Sequence, residues 1–126
     1  MKRIRNFTAH EINFYHREDV NFISNIRKFV VICDIKPYLS FPSEGMLSLT
    51  FDDERIDDDP VPTYKRLISK MDRIPELEEG DMLVVSAAFA SMRKVMDSSP
   101  YCLYTVKDVV YDGNTRPIGC LGLIEC

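Results

Sequence analysis

No apolar run in this 126-residue sequence approaches the ~20 residues that a membrane-crossing helix needs. The opening stretch MKRIRNF has no apolar centre of the kind that makes a secretion signal. The expectation is a cytoplasmic protein with no membrane partner. Four cysteines are present, Cys33, Cys102, Cys120 and Cys126. None pairs with another at C-x-x-C spacing and no histidine stands at zinc-ligand distance from one, so no metal site is expected. Their thiols are expected to be reduced, with Cys33, in VVICDI, a small buried hydrophobe. Walker, G-x-G-x-x-G and H-E-x-x-H motifs are lacking, and Ser86 lacks the flanking glycines of a nucleophile elbow. No catalytic residue and no cofactor is therefore assigned. There are no internal repeats.

Charge is concentrated in one place. Between Asp52 and Asp59, six acids stand against Arg55, a local net of −5 within a chain total of −4. The remainder is close to neutral, and Lys2, Arg3 and Arg5 form only a short basic cluster. A nucleic-acid-binding face is disfavoured. The acidic run lacks the sixth-position glycine and twelfth-position glutamate of a calcium-binding loop, so it is read as a solvated loop.

With 45% hydrophobic residues, the chain has enough apolar material for one core spanning residues 1–126. The organising stretch is Asp81 to Val95. Met82 to Val85 is an apolar run that passes at Ser86 into the helical spacing of Ala88, Phe89, Met92, Val95 and Met96. This predicts a buried strand leading directly into a helix over 87–96. Ser86 is placed as its N-cap, Arg93 and Lys94 in its last turn, and Ser98-Ser99-Pro100 as its stop. Ile4 to Tyr15 is expected to be extended, with a bend at Asn6 to His10. Arg17 to Phe29 fits either a helix or two extended pieces. Val30 to Ile35, Leu47 to Phe51, Cys102 to Val110 and Ile118 to Ile124 read as strands, with a hairpin signal at Asp112 to Thr115. Thr63 to Met71 has helical spacing that Pro75 and its short length weaken.

NFTAHEINFY at Asn6 to Tyr15, FPSEG at Phe41 to Gly45 and IGCLGL at Ile118 to Leu123 stand in an order that resembles a family of short proteins found in bacteriophages, prophages and bacteria. Asn6 to Tyr15, NFTAHEINFY, is similar to that family's opening N-L-T-P-H-E-I/V-x-I. Phe41-Pro42-Ser43-Glu44-Gly45 is similar to its proline-rich turn. Ile74 to Ala88 is similar to its L-P-x-P-x-x-G followed by a V-S-A strand. Val106 to Asp108 and Ile118 to Leu123 are similar to its closing V-R-D…I-I-G-C-R-G-L. The matches keep their order and touch most of the chain. Ala9, Glu44 and Leu121 depart from the pattern, and Arg17 to Tyr38 is longer than the family's hairpin. The resemblance implies an origin in a phage or mobile element and favours a strand at Thr63 to Ile68. It brings no reaction with it.

Asn6, Thr8 and His10 form the most specific polar cluster. They either contact a ligand or hold a bend through bonds to the backbone. The free N–H groups after Ser86 suit a phosphate or carboxylate, with Arg93 and Arg116 as possible added charge. Cys120 and His10 make a conceivable thiol–imidazole pair, although Cys120 sits in an apolar strand.

These features define the expectation to be tested. It is a compact single-domain α+β protein, with a mainly antiparallel sheet and one principal helix, 87–96, packed on it. In function it is a phage-type accessory protein, a non-enzymatic binding module for a small anionic, nucleotide-like ligand. The ligand residues would be Asn6, Thr8, His10, Ser86, Arg93 and Arg116. The alternatives are a module that docks on a host or virion protein through the acidic run, and a small enzyme using Ser86, His10 or Cys120. Homo-oligomers are compatible with either.

Overall fold

The computed structural model describes residues 2–96 and 103–126. Among them are ten strands and one α-helix. The strands are β1 (Arg3–Asn6), β2 (Ile12–Phe14), β3 (Val20–Ile23), β4 (Lys28–Val31), β5 (Leu39–Phe41), β6 (Leu49–Asp57), β7 (Thr63–Met71), β8 (Asp81–Val84), β9 (Leu103–Tyr111) and β10 (Pro117–Glu125). The helix, α1, is Ala87–Met96. No helix is long and apolar enough to cross a membrane among the described residues.

The main sheet runs β1-β8-β9-β10-β2-β5 and curls until its two ends meet. Asn6 closes the seam. Its backbone carbonyl accepts from Glu44 N at 2.8 Å, and its side-chain amide donates to the Phe41 carbonyl at 2.9 Å. The turn after β5 is tied to the chain after β1 by Ser43 Oγ donating to the Thr8 carbonyl at 2.6 Å and Leu47 N to the Phe7 carbonyl at 3.1 Å.

β8 lies at the middle of the packing. Leu83 and Val84 are both fully shielded from solvent, so the strand is covered on both faces. Leu83 and Val85 pack with Phe89 and Ala90 of α1 and with Phe7, Leu47 and Leu103. Val84 points the other way, into a cluster with Ile12, Phe14 and Cys120. Period-two alternation along a strand explains the division. Burying each such side chain contributes about 2 kcal/mol. At its start, Asp81 is gripped by Arg3 through two bonds, of 3.0 and 3.1 Å, and by Arg5 at 3.3 Å. Arg5 also pairs with Glu44.

The α+β expectation is overturned. Half the structure is strand and 8% is helix, in a nearly closed, barrel-like sheet. The main sheet is mixed: β9–β10, β2–β5 and β3–β4 are antiparallel and account for most of its paired residues, whereas β1–β8, β8–β9, β4–β9 and β10–β2 are parallel. Short strands joined across long sequence separations leave no local periodicity from which their direction can be read. Arg17 to Phe29 resolves into a short 3-10 turn and the β3–β4 hairpin, in which Phe22 faces Phe29.

Two local readings change as well. The acidic run is a strand for most of its length, because β6 pairs with β7 as a separate two-stranded arm and places Asp53 opposite Arg66 and Glu54 opposite Lys65. Cys33 is exposed in a turn with φ of 51°, since the chain leaves the sheet after Val31. Cys33, Cys120 and Cys126 are free thiols. The expected stop at Ser98 to Pro100, and Cys102, lie outside the described residues.

Candidate functional site

One long strand borders a gap in the barrel. β9 pairs along one edge with β8 at Leu103 and Tyr104, and with β4 at Val110 and Tyr111. Between these, from Thr105 to Val109, no described strand pairs with that edge. The chain leaves β8 at Val85, whose N–H still reaches the Tyr104 carbonyl at 2.9 Å, and turns into α1. The direct passage from strand to helix, legible in the sequence, is therefore what opens the sheet.

A cavity of about 890 Å³ occupies this region. One side is the bend Thr8-Ala9-His10-Glu11, and another is the helix start Val85-Ser86-Ala87. Ile12, Val109, Ile118 and Met46 supply apolar surface, and Gly119 and Cys120 belong to the lining. The volume is in the range of small-molecule sites.

The bend is held from behind. Asn6 is 1% exposed. Its Nδ2 donates to the His10 carbonyl at 2.9 Å, and its Oδ1 accepts from Thr8 N at 3.0 Å and from Thr8 Oγ1 at 2.6 Å. With the Phe41 bond this saturates the amide, so Asn6 positions the bend and does not face the cavity. Thr8 and His10 line it.

Ser86 is the N-cap. Its Oγ accepts from Phe89 N at 3.2 Å, and its carbonyl accepts from Ala90 N at 3.0 Å. The N–H groups of Ala87 and Ala88, both exposed, have no acceptor among the described residues, as expected for the first turn of a helix. Ala87 borders the cavity.

Two further groups are chemically informative. Cys120 is 1% exposed, and burial pushes its thiol up to about 11, only partly offset by the Gly122 N–H. A thiol so held is protonated at neutral pH and is a poor nucleophile. Tyr15 is 6% exposed and lines the same cavity. Burial raises its phenol above the ordinary value, and its hydroxyl has no hydrogen-bond partner among the described residues. Sequence reasoning passed over Tyr15, which follows the alternating stretch of Ile12 and Phe14 and carries no motif of its own.

Of the six residues expected at a site, Thr8, His10 and Ser86 meet at this cavity and Asn6 supports it. Arg116 does not line it; it lies in the β9–β10 turn, where its N–H donates to Asp112 Oδ1 at 2.9 Å. Arg93 lies in α1, and its side chain is outside the described residues. Cys120 and His10 share the cavity without a bond between them. No cluster of three potential metal ligands occurs among the described residues.

Fold and site together define a class: a small, mostly-β barrel with a lateral cleft between a bend and a helix start. Comparison with family models, with curated proteins and with solved structures finds no match.

Proposed function

We propose that this protein is a non-enzymatic binding module, of phage or mobile-element type, whose cleft holds a small anionic ligand. One observation carries the reading. The cavity joins the Thr8–Glu11 bend to the free N–H groups at the start of α1, so the two polar features singled out in the sequence belong to one site. A helix start attracts an oxyanion through those N–H groups and the helix dipole. Stretches that resemble the phage family also contribute lining: the bend Thr8 to Glu11, Val85 to Ala87, and Ile118 to Cys120. Against catalysis stand the engaged Ser86 hydroxyl and the protonated Cys120 thiol.

Thermal-shift measurement with mononucleotides tests the reading. At about 100 times the dissociation constant, stabilisation of about 2.7 kcal/mol is expected. Ser86→Asp preserves the N-cap but places a carboxylate beside the anion, so its shift should vanish. Absence of any shift in the native protein, or an unchanged shift in the variant, defeats the proposal.

A second reading draws on the β6–β7 arm. Ile56, Val61, Tyr64 and Leu67 are exposed on it beside the acidic run. A two-stranded ribbon is marginal in water on its own, which suits a surface that a host or virion protein covers. Replacement of Asp57, Asp58 and Asp59 by asparagine should then abolish recovery of that partner.

A further inference from the structure

We infer that two copies of this chain join edge to edge through β3, antiparallel about a two-fold axis at Phe22. None of residues 16–38 belongs to the described lining of the cleft, so the inference stands apart from the binding reading.

The first ground is an open strand edge. Among the described strands, β3 pairs with β4 alone. Two bonds fix the direction of its backbone groups. The Asp19 carbonyl accepts from Ile32 N at 2.9 Å, on the β4 side. The Val20 carbonyl accepts instead from Arg17 Nη1 at 3.0 Å. Backbone groups alternate in direction along a paired strand, so the Phe22 N–H and carbonyl face away from β4, as the Val20 carbonyl does. An edge of this kind is a template for a further strand. The Arg17 bond occupies it at Val20 and leaves Phe22 as the point of extension. Phe22 is held in place by the Phe29 ring, with centroids 5.1 Å apart.

The second ground is apolar exposure. Phe22, Ile23 and Ile26 are between 39% and 47% exposed on one short hairpin. No charged residue occurs from Val20 to Ile23. Charges commonly guard open edges, and β6 and β7 carry several each. The unguarded β3 edge can meet its own copy without repulsion between facing side chains.

The third ground, which selects a second copy as the occupant, is charge complementarity. Glu18 and Asp19 stand just before β3, and Arg27 stands just after it in the hairpin turn. None of the three joins an ion pair among the described residues. Antiparallel apposition centred on Phe22 sets Asn25 and Ile26 beside Asp19 and Glu18 of the second copy. Arg27 thus approaches those acids at both ends of the contact. Parallel apposition would set acids against acids. The pattern is self-complementary only under a two-fold axis, the commonest symmetry of soluble homo-oligomers. The two Phe22 residues then exchange both backbone bonds across the axis.

Sedimentation velocity on the full chain, over a concentration series up to about 1 mM, tests the contact. The edge is short, so the dimer is weak, with a dissociation constant on the order of 10–100 µM. Monomer should give way to dimer and to nothing larger, because an isologous contact closes at two copies. Ile23→Lys puts a guarding charge on the edge twice per dimer and should abolish association. Arg27→Glu sets acid against Glu18 and Asp19 and should weaken the dimer at least about tenfold. Adding Glu18→Lys to Arg27→Glu should recover most of that loss. Native circular dichroism in each variant establishes that the chain is folded. A chain that stays monomeric throughout the series overturns the inference, and so does growth beyond two copies. A dimer untouched by Ile23→Lys, or one that the charge-exchanged double variant fails to restore, overturns it equally.

Discussion

The side-chain amide of Asn6 donates to the carbonyl of Phe41 across 2.9 Å, bridging positions 35 residues apart. The same amide fixes the bend that lines the cleft. One buried side chain therefore takes part in both barrel closure and site geometry. Asn6→Ala should cost roughly 2 kcal/mol, because it leaves part-buried carbonyl and N–H partners unpaired in two segments at once. Urea unfolding measures the loss. A change below about 1 kcal/mol would mean that the seam holds without Asn6.

Gly119 and Gly122 make a matched pair on β10. A Cβ at Gly119 would lie 2.5 Å from the Asn13 carbonyl oxygen, whereas one at Gly122 meets nothing within 4 Å. The Asn13 contact is backbone, so it cannot swing aside. Gly119→Ala should destabilise by about 2 kcal/mol or more, and Gly122→Ala should stay within about 0.5 kcal/mol of the native protein. Equal melting temperatures for the two variants would contradict the packing described.

Asp81 predicts an acid limb. The Arg3 guanidinium, and after it the Glu78 N–H, hold its carboxyl at about 2, below the ordinary 3.8. A carboxyl depressed in the folded state stabilises in full above its ordinary value and loses that contribution as pH falls towards the folded one. The stability gap between native protein and Asp81→Asn should be constant near neutral pH and close between about pH 4 and pH 2. A gap independent of pH across that range would show that the ion pair contributes nothing.

Thiol labelling separates the cysteines. Cys33 and Cys126 are exposed, whereas Cys120 is buried with its thiol near 11. Iodoacetamide at mildly alkaline pH should modify Cys33 and Cys126 readily, read by peptide mass. Cys120 should be far slower, because it is shielded from the reagent and little of it is thiolate at that pH. Rapid labelling of Cys120 would reopen the enzyme reading.

The sequence made the local rules legible and left the global ones hidden. Ser86 is a cap because a hydroxyl sits between an apolar run and a helical stripe, and both signals are contiguous. The bounds of α1 came out of the same periodicity. The direction of β1 beside β8 depends on residues 78 apart, for which the chain carries no short-range mark. The four-residue β8, covered on both faces at Leu83 and Val84, also loses the alternation that identifies a half-wet strand. The cleft was half legible. Its polar rim, Thr8, His10 and Ser86, stood out by residue type, whereas its depth comes from an unpaired edge of β9 that only the assembled sheet defines. The acidic run was misread as a loop because its charges are cross-strand partners for Arg66 and Lys65, a relation invisible until β7 is placed.

The grip of Arg3 on Asp81 also sets an order of assembly. The first strand of the barrel has no neighbour to pair with until the eighth has been synthesised and has folded against it. Closing so long a loop is paid for in chain entropy before any contact rewards it, which slows folding. Until then the cluster that buries Phe7 lacks Leu83, Val85 and Phe89. The β6–β7 arm, whose strands are joined by a short turn, can form well before the barrel that carries it.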